Sequence, residues 1–539
     1  MNSSLLGASD GRDVEVVPRH EGRSRYGSAV GLGLAGCALT AVAYYSASGR
    51  NQGPRLSAGS GATEISAHHH RGSHKEHEKH EEHKEPLMFL HIADTHSDPF
   101  YDYTNFFIPA EKISRSPDLF SKKTPAEICG WETESLIFEH WNKSGGGPSC
   151  PCGQYGANPP FSVLASLRKE IEKQGPDFVI WSGDFVSHYM PGTAPGDKCR
   201  TARSVAKTTV SMVNAQTWPK KMHHMFVLGN NDVLPKRAPM EQEWLEEFGA
   251  FLFEAGWLKE AELVTWNAGG FFKRRVGGGL CVLNLNSNSW TANQINDKHH
   301  AAQLKWFHDE AFADPECKQY LINAHIPLGW LEGGSGHHVW SNLEGAEVPL
   351  NSEQYRVVIR KHSDNIVAEL YGHINKADIR LMDGKQAADP DDNETVRDDP
   401  HDDALGDLDD DIGGNGATVS FTVAGISRRG LNDPQFQKIY LEKEHGAYEI
   451  QDIDVIQMMK GCDFEMSFSF VDQFKPHFDT GINIATLKNF VEDESMKAIV
   501  ESQLALSASP YNKTTLKDPF FLASVRAGIA GCEVRKEHR

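Results

Sequence analysis

The sequence predicts an α/β fold in which β-sheets are covered by helices. Short apolar runs alternate with longer segments of helical periodicity, and this alternation is typical of sheets flanked by helices. The runs that indicate buried strands are residues 88–93, 178–181, 225–228, 320–323 and 366–371, and helical periodicity is found at 160–174, 240–255 and 299–312. A chain of 539 residues can also bury a large core and hold several domains.

A polar segment ends each of these five runs. The segments share Asp, His or Asn, the residue types that hold divalent metals. They are Asp94-Thr95-His96, Gly183-Asp184, Gly229-Asn230-Asn231-Asp232, Ala324-His325 and Gly372-His373-Ile374-Asn375. Buried strands would deliver these donors to one edge of a sheet. Because a paired-metal site is the usual means of cleaving phosphate esters and anhydrides, the pattern predicts that chemistry.

The spacing inside the segments supports a metal site. Asp94 and His96 are two residues apart, so on extended backbone both side chains point the same way and suit one ion. Gly183 lets the chain turn sharply beside Asp184, whose carboxylate is placed to bridge two ions. A single Asp or His at a strand end is usually structural, but all five segments in this order indicate metal binding.

The first 85 residues predict a membrane attachment. Residues 26–46 carry no charged side chain and are long enough to span a bilayer, and four arginines precede them. The positive-inside rule keeps residues 1–25 in the cytosol and sends the rest across, as a type II protein with a signal anchor. The alternatives are a cleaved signal peptide, which would give a secreted protein, and a flexible Gly/Ala segment. Residues 47–85 form a Gly/Ser-rich and His-rich linker, either a solvated spacer or a metal-binding tract.

The folded part is expected to begin at residue 86. We predict a metal-site domain over residues 86–455, with an irregular insertion at 109–160 and a disordered acidic insertion at 383–416. A small helical, disulfide-stapled extension follows at 456–539. The formal net charge of −20 argues against nucleic acid as a partner, although much of it is concentrated between residues 389 and 411. The oligomeric state is open, a homo-oligomer included.

The cysteines and glycosylation sequons favour an oxidising compartment. Eight of the nine cysteines follow the predicted anchor, and an even number there suggests disulfides whose pairing the sequence does not reveal. The simplest pairing joins Cys462 to Cys532, while Cys281, inside a strand-like run, is expected to be a free buried thiol. Sequons predict N-glycosylation at Asn142, Asn393 and Asn512.

The order of the five segments resembles that of the calcineurin-like metallophosphoesterases, whose pattern is D-x-H, GD, GN-H-[DE], H and GH-x-H. The resemblance covers most of residues 87–440. It implies a metallophosphoesterase β-sandwich flanked by helices, two divalent ions (Mn, Fe, Zn, Co or Mg), and in-line attack on phosphorus by a metal-bridging hydroxide. The ligands it implies are Asp94, His96, Asp184 and Asn375 for one ion, and Asp184, Asn230, His325 and His373 for the other.

Two positions depart from the general pattern. Asn231 stands where the family usually has its catalytic His, and Asn375 where it usually has a final His ligand. An Asn can donate a hydrogen bond or coordinate through oxygen but is no general acid. These residues resemble the GNND and GH-x-N of endopolyphosphatases, which are related to acid sphingomyelinase-like phosphodiesterases. In both groups a His occupies the position of His188, which is therefore our candidate proton donor or transition-state stabiliser.

The resemblance implies an endopolyphosphatase that cleaves internal phosphoanhydride bonds in a lumenal, vacuole-like acidic compartment. An acid sphingomyelinase-like phosphodiesterase acting on lipids or nucleotides is the enzymatic alternative, and a non-catalytic phosphate-binding homologue is the third. A polyphosphate chain needs a path lined by cations. The candidates, which are equally compatible with a solvated surface, are Lys376, Arg380, Arg428 and Arg429.

Overall fold

The computed structural model describes residues 86–99, 152–153, 158–188, 190, 192–193, 198–214, 222–236, 239–291, 297–327, 350–375, 377–382, 416–428, 433–458, 462–475, 477–478 and 480–492. All of them lie in the unit Glu81–Arg539. The predicted tail, anchor and linker, residues 383–415 of the acidic insertion, and the three sequons lie outside the described residues. Within the described part of the chain, no helix is both long and apolar enough to cross a membrane.

Strands and helices alternate along the described residues, as the sequence predicts. The strands are β1 Leu87–Ile92, β2 Phe178–Trp181, β3 His223–Phe226, β4 Phe272–Gly277, β5 Leu280–Asn284, β6 Gln319–Asn323, β7 Ile366–Tyr371, β8 Asp378–Met382, β9 Thr418–Thr422, β10 Gln435–Glu444, β11 Ala447–Met458 and β12 Phe464–Ser469. The helices are α1 Phe161–Gln174, α2 Thr201–Val213, α3 Gln242–Glu254, α4 Glu260–Gly269, α5 Asp297–Asp309, α6 Leu350–His362, α7 Phe470–Gln473 and α8 Ile484–Glu492.

The strands form two mixed sheets of six strands each. The first has the order β12-β11-β10-β1-β2-β3, and the second has the order β4-β5-β6-β7-β9-β8. Strands β1, β2 and β3 run parallel to one another, as do β5, β6, β7 and β9. The carboxyl ends of the parallel strands therefore meet at one edge of each sheet, which is where ligands bind in sheets of this kind.

Side-chain alternation along the central strands separates the core into layers. Phe89, Phe178 and Ile180 pack between the two sheets, against residues such as Leu321 and Leu370. Each fully buried side chain of this size stabilises the fold by about 1.5–3 kcal/mol. The opposite face of the first sheet packs on helices α1 to α4, and the outer face of the second sheet packs on α5 and α6. The result is the predicted α/β sandwich of two sheets flanked by helices.

Two disulfides correct the predictions about cysteine. Cys462 is bonded to Cys152, with their Cα atoms 5.2 Å apart, so the predicted pairing of Cys462 with Cys532 is wrong. Cys281 is not a free thiol, because it is bonded to Cys317. The physical reason is local: the segment before β6 lies against the β4–β5 turn, where the amide of Lys318 donates to the carbonyl of Gly279 at 2.7 Å.

The C-terminal region is more sheet-like than the sequence indicates. Residue 455, the predicted end of the domain, lies inside β11, and β12 then continues the first sheet. The short helices α7 and α8 follow, and their Phe470 and Phe490 side chains pack into the core between the sheets.

Candidate metal centre

The predicted ligands converge at the carboxyl ends of five strands. Asp94 and His96 follow β1, Asp184 follows β2, and Asn230 follows β3 in the first sheet. From the second sheet, His325 follows β6, and the turn that holds His373 and Asn375 follows β7. The site therefore lies where the two sheets meet, and each sheet contributes side chains to it.

The backbone at the ligands is left-handed rather than extended. The φ angles are 52° at Asp94, 41° at His96, 60° at Asp184, 76° at His373 and 51° at Asn375. This corrects the expectation that strand alternation aligns Asp94 with His96. Each such residue costs about 1–3 kcal/mol, and residues of this kind cluster at functional sites where the surrounding structure enforces them.

Two glycines are required by close approach to the carboxylates. A Cβ atom on Gly229 would lie 2.1 Å from Oδ1 of Asp184, and one on Gly372 would lie 2.7 Å from Oδ2 of Asp94. Both distances are far below van der Waals contact, so a larger residue would displace the carboxylate. The glycines that mark these segments in the sequence are therefore part of the geometry of the site.

The first cluster consists of Asp94, His96 and Asp184, all of them buried. Nε2 of His96 lies 3.6 Å from Oδ1 of Asp94 and 3.5 Å from Oδ2 of Asp184. The candidate ligand atoms of the three residues all lie within 4.8 Å of one another. The backbone amide of His373 donates to both oxygens of Asp94, at 3.1 and 2.9 Å.

The second cluster shares Asp184 with the first. Nε2 of His325 lies 3.3 Å from Oδ2 of Asp184 and 3.1 Å from Oδ1 of Asn230. Nδ1 of His373 lies 2.7 Å from the same Asn230 oxygen. Oδ2 of Asp184 thus lies between His96 and His325, which is the position of a carboxylate that bridges two ions.

Two buried atoms support a metal at this site. Nδ1 of His96 donates to the carbonyl of Val186 at 3.2 Å, which leaves the lone pair of Nε2 directed at the two carboxylates. Within the described residues, Nε2 of His96 and Oδ1 of Asn375 have no hydrogen-bond partner. Since buried polar atoms are normally satisfied, and since nitrogen, carboxylate and amide oxygen ligands suit divalent transition metals, the residues fit the metal pair that the sequence predicts.

Positive charge would stabilise the buried carboxylates of the site. Burial raises the pKa of Asp94 above its ordinary range. Burial acts in the same direction on Asp184, but the imidazoles of His325 and His96 outweigh it and hold that pKa well below its ordinary range. Although burial opposes it, Asp184 also raises the pKa of His325 to about 9. Burial, together with the charge of His325, lowers the pKa of His373 to about 3.

A buried polar network between the sheets orients His325. Nδ1 of His325 donates to the carbonyl of Ser182 at 2.6 Å. The Ser182 hydroxyl donates to Asn323 at 2.7 Å and lies 2.9 Å from Nε2 of His91. Asn323 in turn donates to Asn284 at 2.9 Å. Contacts behind a ligand fix its ring and tautomer, and no sequence pattern points to these contacts because the residues are far apart in the chain.

Asp232 holds the loops of the site together, a role that the sequence analysis also missed. Its carboxylate accepts from the backbone amides of Asp184, Phe185 and Val186, at 2.7, 2.9 and 3.0 Å. It also accepts from the amide of Gly229 at 2.9 Å. One side chain therefore fixes the loop after β2 against the loop after β3.

The two candidate catalytic residues both face the clusters. The backbone amide and Nδ2 of Asn231 donate to the two oxygens of Asp184, at 2.7 and 2.6 Å. Lys236, to which no sequence pattern points, donates from Nζ to Oδ1 of Asn231. The half-buried ring of His188 lies against that of His96, with centroids 4.0 Å apart, and its Nδ1 donates to Asn158 at 3.2 Å.

The predicted cationic path is not supported at Arg428. Its side chain is 1% exposed and donates to the carbonyl of Gly153 at 2.7 Å and to Asp433 at 3.2 Å. A guanidinium enclosed in this way anchors the chain internally and does not face a polymer. Arg380 lies in β8, whereas Lys376 and Arg429 lie outside the described residues.

Comparisons with known proteins agree with this geometry. Residues 87–376, more than half of the chain, match the family described as calcineurin-like phosphoesterase. The chain is 25% identical over 311 residues to cyclic GMP-AMP phosphodiesterase SMPDL3A of Bos taurus, covering 56% of this chain and 60% of that protein. It is 26% identical over 314 residues to acid sphingomyelinase-like phosphodiesterase 3b of Homo sapiens, covering 55% of this chain and 59% of that protein.

An endopolyphosphatase of Debaryomyces hansenii is 25% identical over 324 residues, covering 56% of this chain and 39% of that protein. In each case the matched part spans less than two thirds of the relative's own length. Fold, ligand set and family match agree with one another. The chain therefore belongs to the calcineurin-like phosphoesterase family.

Proposed function

We propose that the protein is a metal-dependent endopolyphosphatase that hydrolyses internal phosphoanhydride bonds of inorganic polyphosphate. The observation that carries the proposal is the amide of Asn231, which donates to Asp184 from the position where the wider family has a histidine. An amide group does not deliver a proton to a leaving group. The reaction catalysed here should therefore be one that needs little proton donation at this position.

The leaving group decides which reaction that is. Cleavage of a phosphodiester expels an alkoxide, which is comparable in basicity to hydroxide, since water has a pKa of about 15.7. Cleavage of polyphosphate expels a phosphate chain, and phosphate groups have a second pKa of about 6. An alkoxide needs a proton as it departs, whereas a phosphate chain leaves as a stable anion. A site with Asn at position 231 therefore suits hydrolysis of a phosphoanhydride better than hydrolysis of a phosphodiester.

The ligand residues divide into the two sets that share Asp184. Asp94, His96 and Asn375 would complete one metal position, and Asn230, His325 and His373 the other. When bound, two divalent ions would activate water and stabilise charge on the attacking and leaving oxygens. The imidazole of His188, held by Asn158, is placed to donate a hydrogen bond to the phosphoryl group. Manganese, iron, zinc, cobalt and magnesium remain the candidate ions.

The decisive experiment is hydrolysis of long-chain polyphosphate by the purified full-length protein with metal added, read on a gel. Internal cutting produces fragments of intermediate length, and we expect them with the wild type. Asp184→Asn, which weakens the shared ligand, should abolish them. Stepwise loss of terminal phosphate would contradict the endo mode, and intact polymer would contradict the proposal.

A phosphodiesterase acting on a lipid or a nucleotide is the second candidate. It is favoured by the similarity to a cyclic GMP-AMP phosphodiesterase and an acid sphingomyelinase-like phosphodiesterase. Asn231→His separates the two candidates, because an imidazole can protonate an alkoxide. If polyphosphate is the substrate, this variant should gain diester hydrolysis relative to polyphosphate hydrolysis. A wild type that prefers cyclic GMP-AMP or sphingomyelin would support the second candidate, and inactivity on all substrates with metal bound would indicate a non-catalytic homologue.

We also propose that the site faces the lumen or the exterior, with residues 26–46 as the anchor. The two disulfides support this location, because structural disulfides persist in oxidising compartments. Protease treatment of sealed vesicles should leave residues 86–539 protected until detergent is added. Digestion of that region in sealed vesicles would contradict the proposed orientation.

A further inference from the structure

We propose that Lys236 is a positioning residue of this centre, which fixes the amide of Asn231 and supplies a positive charge suited to a phosphate leaving group. The inference deepens the proposed function and rests on it. Lys236 lies five residues after Asn231 in the loop that follows β3, and its side chain is half-buried.

The hydrogen bonds from Lys236 lead directly to the bridging carboxylate. Nζ of Lys236 donates to Oδ1 of Asn231. Nδ2 of the same amide donates to Oδ2 of Asp184 at 2.6 Å. An ammonium group only donates, so it holds the amide with its oxygen toward Lys236 and its NH₂ toward Asp184. Hydrogen bonds in a chain polarise one another, so the ammonium also strengthens the amide as a donor.

The backbone of Lys236 is fixed to the other catalytic loop. Its amide donates to the carbonyl of Thr193 at 2.7 Å, and Thr193 lies in the segment that follows Asp184 and His188. Asp232, two residues after Asn230, fastens the same two loops by accepting from four backbone amides. The backbone of Lys236 is thus fixed to the loop after β2, and its ammonium group is held by Asn231 of its own loop, so its position is not that of a solvated surface lysine.

The charge of Lys236 matters because the site combines buried carboxylates with an anionic substrate. Asp94 and Asp184 bring two acidic groups to the centre, and polyphosphate brings one or more charges on each unit. A cation next to Asn231 opposes that repulsion and stabilises the negative charge that collects on a departing phosphate. The same cation would stabilise the transition state of a diester that expels a neutral alcohol less. Lys236 and Asn231 together therefore replace the single imidazole found at this position elsewhere in the family.

The test compares Lys236→Met and Lys236→Arg in the full-length protein, each also combined with Asn231→Ala. Lys305→Met is the matched control, because Lys305 is 74% exposed and pairs with Asp309 on α5. For each protein, kcat and KM on polyphosphate, bound metal, thermal unfolding and affinity for inorganic phosphate are measured. Phosphate is the probe that does not depend on turnover.

We expect Lys236→Met to lower kcat on polyphosphate by about 10- to 100-fold, the range for a lost hydrogen bond to a charged group. Phosphate affinity should fall as well, while bound metal and unfolding temperature stay unchanged. Lys236→Arg should restore part of both losses. In the Asn231→Ala background, Lys236→Met should cost clearly less than in the wild type, because the part that acts through the amide is already lost and only the direct effect of the charge remains.

Wild-type kcat and phosphate affinity in Lys236→Met would overturn the inference, and so would an equal loss with and without Asn231. If Lys236→Met loses metal, a similar loss in Lys236→Arg would assign Lys236 a merely structural role and also overturn it. Failure of the proposed function is recognised separately. A wild type that leaves polyphosphate intact refutes the substrate, and the phosphate affinities of wild type and Lys236→Met then still decide the role of Lys236.

Discussion

His188 is the residue whose removal should separate chemistry from metal binding. Its ring packs against that of His96, and its Nδ1 donates to Asn158, which fixes the imidazole beside the first cluster. We predict that His188→Ala lowers kcat on polyphosphate by about 10- to 100-fold, as expected for one charged hydrogen bond. Bound metal, measured by elemental analysis, should stay at the wild-type level.

The substrate dependence of this variant is the more informative part. On a diester that expels an alkoxide, the loss should be about 100- to 10,000-fold if His188 protonates the leaving group, and about 10- to 100-fold if His188 only donates a hydrogen bond to the phosphoryl group. Asn158→Ala is the companion variant, because it leaves the imidazole in place and removes only the group that orients it. Unchanged turnover in His188→Ala would remove His188 from the catalytic residues.

At the residue scale, the sequence revealed the candidate ligands that the structure brings together, but it did not reveal the residues that support them. Asp94, Asp184 and His373 are recognisable because each lies beside a glycine or a second donor at the end of an apolar run. No local pattern points to Lys236 or Asn158, because a lysine or an asparagine in a loop is normally solvated. Their contacts exist only after separate loops have packed together.

At the scale of helices and strands, a buried carboxyl group joins α6 to the second sheet. Glu369 of β7 accepts from the hydroxyls of Tyr355, Tyr371 and Thr418, which lie on α6, β7 and β9. Burial raises the pKa of Glu369 above its ordinary value of 4.5, and the three hydroxyl donors oppose that shift only in part. The strand that delivers His373 is therefore held by a group whose ionisation is unfavourable in the folded protein.

This pKa predicts the sign of a pH dependence. Since the folded protein binds the Glu369 proton more tightly than the unfolded chain does, its contribution to stability is full below pH 4.5 and is lost as pH rises through the raised pKa. Each unit of the shift corresponds to about 1.4 kcal/mol. We predict that Glu369→Gln removes this part of the pH dependence, measured by urea unfolding between acidic and neutral pH.

The exposed Glu442 on β10 provides the control, because Glu442→Gln should leave the pH profile unchanged. Metal binding also varies with pH. Because it does so equally in the wild type and in Glu369→Gln, its effect cancels in the difference between their free energies of unfolding. Parallel profiles for the wild type and Glu369→Gln would show that Glu369 titrates normally.

The elements that the sequence revealed best are the buried parallel strands. Their runs, such as 178–181 and 320–323, are almost wholly apolar because both faces are covered. Polar residues alternate in the antiparallel strands β11 and β12, so no apolar run marks either of them. The sequence gives no strand prediction for β11, and β12 lies in the extension that was predicted to be helical. The disulfide from Cys152 to Cys462 joins residues 310 positions apart, a relation that no local pattern encodes.

At the scale of the whole molecule, the candidate metal centre lies where the two sheets meet. Asp94, His96, Asp184 and Asn230 extend from the first sheet, and His325, His373 and Asn375 extend from the second. Ions bound between them would cross-link the halves of the sandwich and neutralise the buried carboxylates. Metal binding and global stability should therefore be coupled, because anything that binds only the folded state stabilises it by mass action.

We predict that removing metal with a chelator lowers the unfolding temperature, and that returning metal restores it with a dependence on concentration. At free metal 100 times the dissociation constant, the stabilisation should be about 2.7 kcal/mol per site. Asp184→Asn should lose most of this response, because Asp184 belongs to both ligand sets, whereas Lys305→Met should retain it. Repeating the titration with manganese, iron, zinc, cobalt and magnesium ranks the ions without reference to any substrate. An unfolding temperature that changes with neither chelator nor metal would mean that the fold alone holds the clustered carboxylates and imidazoles. That result would contradict the dinuclear centre.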